Sequence, residues 1–182
     1  MNQRTSDPGP SVVLLTGVMA AGKSTVAQLL AERLPRAAHV RGDVFRRMMV
    51  SGRAEMAPGE SAEAWEQLLL RYRLAAGVAD GYAAAGWTAV VQDVVLGGVL
   101  ADYLGFVTTR PRHLVVLAPD QAAVARREEG RPKSGYGAWT VAELDRSLRE
   151  ETPRLGLWLD TSRQTPEETV TTILDRLPEA RV

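Results

Sequence analysis

The sequence predicts a three-layer α/β fold, in which a five-stranded parallel sheet is covered by helices on both faces. Three observations predict it. Five short apolar runs alternate with helix-like segments, the pattern of strands joined by crossover helices. A glycine-rich turn joins the first apolar run to the first amphipathic segment. The length, 182 residues, suits one well-buried domain and is too short for two ordinary ones. Residues 1–182 are therefore read as a single domain, with 1–10 as a flexible polar tail.

The first strand, 11–16, is an unbroken apolar run that stops at Gly17, as expected of a strand buried on both faces. Val26, Leu29, Leu30 and Leu34 then share one helical face. The second strand is 38–41. Residues 51–61 read as a loop turning at Pro58-Gly59, and a helix follows with Trp65, Leu68, Leu69, Tyr72 and Ala76 on its core side. Strands three and four are 88–92 and 113–117. A helix after Asp120 runs into Gly-Arg-Pro-Lys-Ser-Gly-Tyr-Gly at 130–137, which cannot be regular structure and reads as a mobile loop. Thr140 with Glu143, and Thr165 with Glu168, each match a capping box, the second with Pro166 at the first helical position. The fifth strand, 155–159, lies between these two helix starts.

Composition removes several classes of function. There is no cysteine, hence no disulfide, thiolate metal site or cysteine nucleophile. The 22 basic and 22 acidic residues cancel, so no overall field gathers the chain onto nucleic acid or an anionic membrane. No run approaches the ~20 apolar residues of a membrane helix, and the polar N-terminus does not read as a signal peptide. A cytoplasmic protein, monomeric or homodimeric, is expected. Only Lys23 and Lys133 are lysine among the basic residues, which marks them as places where arginine serves less well.

Residues 17–24, Gly17-Val18-Met19-Ala20-Ala21-Gly22-Lys23-Ser24, fit G-x-x-x-x-G-K-[ST] between a strand and a helix, the context that the phosphate-binding P-loop requires. Glycines let the backbone wrap a phosphate, and the N–H groups at the start of the following helix, including that of Thr25, favour the anion. Lys23 reaches the β and γ phosphates as a compact charge, and Ser24 offers its hydroxyl to Mg²⁺. A nucleoside triphosphate with Mg²⁺ is the ligand this pattern implies.

In such a sheet the C-terminal ends of the strands face the ligand crevice. Asp43, just past the second strand, can take the proton of an attacking hydroxyl, or it can cap a helix beginning at Val44. The P-loop upstream favours the catalytic role. Arg46, one turn on, suits an anionic group on the substrate, and Arg47 a solvated charge. Asp93 ends the third strand, where it can order Mg²⁺ waters or bind substrate, or cap the helix after Leu96. His39 and His113 open their strands away from the crevice and read as structural. Arg126, Arg127, Arg131 and Lys133 cluster beside flexible glycines, as a lid over 126–139 that closes on the transferred phosphoryl group, or as a solvated helix end. Thr161 follows the last strand, where a base stacks.

With these residues placed, the chain resembles the P-loop kinase group with an AAA-type ATP-binding domain that includes chloramphenicol phosphotransferases, zeta toxins, gluconate kinases and the kinase part of polynucleotide kinases. The resemblance rests on residues 17–24, on Asp43-Val-Phe-Arg46 as a D-x-x-R element, on the basic segment 126–133, and on Leu159-Asp160-Thr161-Ser162. It implies the strand order 2-3-1-4-5, ATP as donor, Asp43 as general base, and lid arginines, Arg127 and Arg131 above all, on the phosphates. Residues 51–60 carry Arg53 alone, not the arginine-rich pattern of a nucleotide acceptor. A neutral hydroxyl compound, such as an antibiotic to be inactivated, is the expected acceptor. A polynucleotide 5′-kinase and a toxin-like nucleotide-binding regulator remain the alternatives.

Overall fold

The computed structural model describes residues 7–57, 59, 61–129 and 139–182. The loop expected at 130–137, with Arg131 and Lys133, lies outside them. Strand β1 (Ser11–Gly17) is buried at every residue and forms the middle of the sheet. It pairs in parallel with β3 (Thr88–Gln92) on one side and β4 (Arg112–Leu117) on the other, setting Leu15 beside both Gln92 and Val115. Strand β2 (Ala37–Arg41) adds outside β3, and β5 (Leu157–Leu159) outside β4. All neighbours run parallel, and the order β2-β3-β1-β4-β5 is the expected one.

Helix α1 (Lys23–Arg33) packs on α7 (Pro166–Asp175), while α3 (Ala62–Ala84) packs on α4 (Val99–Phe106). Both α1 and α3 touch β1, β2 and β3. A parallel sheet needs cover on both faces, and the continuous apolar runs Val12–Leu15 and Leu114–Leu117 are what that cover buries. Helices α2 (Gly42–Arg47), α5 (Gln121–Glu129) and α6 (Val141–Arg146) sit around the ends of the strands. Both capping boxes are formed: Thr165 Oγ1 accepts from Glu168 N at 3.1 Å, Glu168 returns the bond to Thr165 N at 2.8 Å, and Thr140 pairs with Glu143 likewise.

Three details differ from expectation. Strand β5 begins at Leu157 and not at 155, because Gly156 sits at φ +65°, where a Cβ would strike the carbonyl oxygen of Leu114. Helix α3 buries Tyr72 and Ala76 as predicted, but Leu68 and Leu69 only in part, and Trp65 is 41% exposed. Its core face is Tyr72 together with Ala75, Ala76, Ala79 and Ala83, and the alanines let the helix lie close on the sheet. In the expected tail, the Gly9 carbonyl accepts from Thr88 Oγ1 at 2.6 Å, which ties residues next to β1 to the start of β3.

Candidate active site

A cavity of about 870 Å³ opens at the C-terminal ends of β1, β2 and β3. Gly17 ends β1 at φ +146°, pressed against β4 so closely that a Cβ there would meet the Leu117 carbonyl oxygen at 2.4 Å. Ala20 takes φ +58° and Gly22 φ +94°, so the turn between them uses left-handed backbone twice. Helix α1 then starts at Lys23 with no side-chain cap and no acid in its first turn. The first residues of α1, Lys23 to Thr25, line the cavity, and the N-terminus of a helix is where an anion fits. Lys23 Nζ donates to the carbonyls of Gly17 at 2.9 Å and Val18 at 2.7 Å. Ser24 and Thr25 are exposed and line the same cavity.

Arg127, on α5, spans the phosphate loop and the turn after β5. Its guanidinium donates to the carbonyls of Ala21 at 3.3 Å and Thr161 at 2.7 Å. Thr161 itself is buried with its hydroxyl unpartnered among the described residues. Arg126, by contrast, is exposed on α5 and does not line the cavity.

On the opposite wall, α2 begins at Gly42, with Arg41 at the N-cap position and no side-chain cap. Asp43 therefore lies inside the first turn and does not cap a helix starting at Val44. Its Oδ2 is 3.0 Å from Arg47, while Oδ1 is buried without a partner among the described residues. Arg46 is ion-paired with Glu55. Asp93 does not cap α4, whose N-cap is Gly98. Both its oxygens are held by Arg71: Nε donates to Oδ2 at 3.0 Å and Nη2 to Oδ1. Burial pulls the Arg71 pKa below its ordinary value, and Asp93 is itself only 3% exposed. A side chain on Gly42 would overlap this carboxylate, so the start of α2 rests directly on the pair.

Residues 12–153 match the model of the AAA domain family. The chain belongs to this family. Among curated proteins no sequence matches. The AAA domain is similar to several solved structures. One is an unliganded sugar kinase from Janibacter sp. HTCC2649, at 21% identity over 93% of this chain and 95% of that one, with a TM-score of 0.67. Another is the Deinococcus radiodurans tunicamycin resistance protein, at 17% over 94% and 98%, with 0.66. A third is the Mycobacterium tuberculosis APS kinase in complex with AMPPNP and APS, at 19% over 92% and 97%, with 0.68. At these identities the likeness is one of fold, and the fold is that of small-molecule P-loop kinases.

The cavity of this AAA domain brings together Asp43, Arg46, Asp93, residues 19–25, Arg127 and Thr161, whereas Gly17 and Val18 of the loop do not line it. The sequence reading missed Arg71, Gln67 and Trp139. Arg71 had a signal: it interrupts the run Leu68-Leu69-Leu70 just before buried Tyr72, where a charge needs a partner. Among the described residues no three His, Asp or Glu side chains cluster as a metal cage. The hard oxygen of Ser24 in the cavity suits Mg²⁺, which keeps most of its waters.

Proposed function

We propose that this AAA domain is a phosphotransferase that uses ATP with Mg²⁺ and moves the γ-phosphoryl group to a hydroxyl of a small, uncharged molecule. The observation that carries the reading is Asp43: a carboxylate with one buried, unpartnered oxygen among the described residues, lining the same cavity as the phosphate loop. The acceptor oxygen bonds to the γ-phosphorus as the bond to the β-phosphate oxygen breaks, and the hydroxyl proton passes to Asp43. Lys23 and Arg127 supply positive charge where it accumulates on the transferred oxygens. Ser24 would hold Mg²⁺, which when bound neutralises charge between the β and γ phosphates. Asp93, committed to Arg71, is assigned to the acceptor side, with Arg46. Arg131 is assigned to the phosphoryl group and Lys133 to the acceptor. The need for ATP puts the reaction in the cytoplasm.

The test is mass analysis of the full chain incubated with ATP, Mg²⁺ and a panel of hydroxyl compounds. An antibiotic with a free hydroxyl belongs in that panel, because one similar structure is a tunicamycin resistance protein. One phosphorylated acceptor per ADP is expected, and loss of transfer in folded Lys23→Ala. ATP binding with no acceptor turned over would make the chain a nucleotide-binding regulator instead. Transfer confined to oligonucleotide 5′ ends would make it a polynucleotide kinase.

A further inference from the structure

The acceptor half of the cavity has a chemical character of its own. Among the described residues, six of the side chains lining it are charged, and each faces an opposite charge: Arg46 with Glu55, Arg47 with Asp43, and Arg71 with Asp93. A carboxylate, sulfate or phosphate on the acceptor would compete with the carboxylates that these arginines already hold. Gln67, the neutral polar group beside them, is also committed. Its Oε1 accepts from Ala54 N at 2.9 Å and its Nε2 donates to the Gly52 carbonyl at 2.8 Å, fastening the 52–54 loop to α3.

Apart from Gln92 at the end of β3, the rest of this wall among the described residues is apolar. Met49 and Met56 come from the chain between α2 and α3, Leu68 from α3 and Trp139 from the approach to α6. All four are half-buried and line the cavity with Ala54 and Ala64. Each therefore has surface left for a ligand to cover. Two thioethers and an indole make a soft wall that adapts to an irregular apolar body. A molecule rich in hydroxyls would lose water against this wall without finding donors and acceptors in return, at a cost for every unpaired group.

From this we infer that the acceptor is an uncharged alcohol with an apolar aryl or alkyl body, seated on Met49, Met56, Leu68 and Trp139, and presenting one hydroxyl to Asp43. Free sugars and sugar acids are rejected. The inference rests on the phosphotransferase reading and names its substrate class.

Two measurements test it on the full chain, with 3-phenyl-1-propanol, D-glucose and D-gluconate as probes. Saturation-transfer NMR reads binding without turnover, and ADP release with ATP and Mg²⁺ reads transfer. The aryl alcohol should bind and be phosphorylated, and the two sugars should do neither at the same concentration. Met56→Gln and Leu68→Gln should each lower kcat/KM for the aryl alcohol about tenfold, the scale on which an apolar pocket discriminates, with the KM for ATP unchanged. Melting temperatures of both variants identify any loss that comes from unfolding. Stronger binding or faster transfer of glucose or gluconate would overturn the inference and leave the phosphotransferase standing. Failure of the aryl alcohol to bind would overturn it as well. Binding of the aryl alcohol with no transfer to any probe would keep the apolar recognition and remove the phosphotransferase.

Discussion

Asp43 and Arg71 are the two side chains on which the acceptor wall depends, and they fail differently. Asp43→Asn keeps the shape and removes the proton acceptor. Its ion pair with Arg47 is half-exposed, so its loss alters stability little. The expected result is a kcat lower by roughly two to four orders of magnitude, with ATP affinity and Tm held. An unchanged kcat would refute the base. Arg71→Met leaves a buried carboxylate with no counter-charge, which costs about 3–5 kcal/mol. Denaturant unfolding should show that loss, and adding Asp93→Asn should recover much of it. Recovery is the readout that separates an ion pair from mere packing. Asp93 was legible in the sequence as an acid at a strand end, but its role was not. The residue that decides it is 22 positions upstream on α3, and only the fold brings the two together.

At the scale of elements, the phosphate loop stores strain and β4 carries a buried titratable group. Ala20 sits at φ +58° without being glycine, a conformation that costs an alanine about 1–2 kcal/mol. Ala20→Gly should therefore raise Tm by a few degrees, at about 2–4 °C per kcal/mol for a chain of this size. A fall in Tm would mean that the lost chain entropy outweighs the strain. His113 in β4 is 7% exposed, and burial first, then the charge of Arg181, hold its pKa below the usual 6.5. The unfolded chain then binds the proton more readily. Stability is whole above about pH 6.5 and falls as pH drops through 6.5 toward the folded value, by up to about 1.4 kcal/mol per unit. Thermal melts from pH 7.5 to 5 should show the decline, and His113→Gln should reduce it, leaving the share of His39, whose pKa burial also lowers. The strands were readable because a strand covered on both faces is written as one apolar run. The core face of helix α3 was legible at Tyr72 and Ala76 but not at Ala75, Ala79 and Ala83, because close contact with a sheet selects alanines, which carry little signal of their own. The start of β5 was set two residues early because nothing in the sequence near Gly156 announces the backbone of β4 lying against it.

For the molecule as a whole, the position of the glycine-rich loop between β1 and α1 followed from local pattern, and the sheet order from the resemblance to the P-loop kinase group. The apolar acceptor wall did not, because it gathers Met49, Met56, Leu68 and Trp139 from three separate stretches of chain. One more feature acts at this scale. On the face away from the sheet, α3 leaves Leu70, Leu74, Val78 and Tyr82 on the outside, 39–44% exposed and spaced one helical turn apart. The isoelectric point is about 6.8, so near neutral pH no net repulsion keeps two such helices apart. The protein should be least soluble close to that pH, with the precipitation threshold in polyethylene glycol at its lowest there. Leu74→Glu should raise the threshold while shifting stability by no more than about 0.5 kcal/mol, as exposed substitutions do. Handling the purified protein at pH 8 and above, or carrying that single substitution, then becomes the practical route to the millimolar concentrations that weak acceptor binding requires.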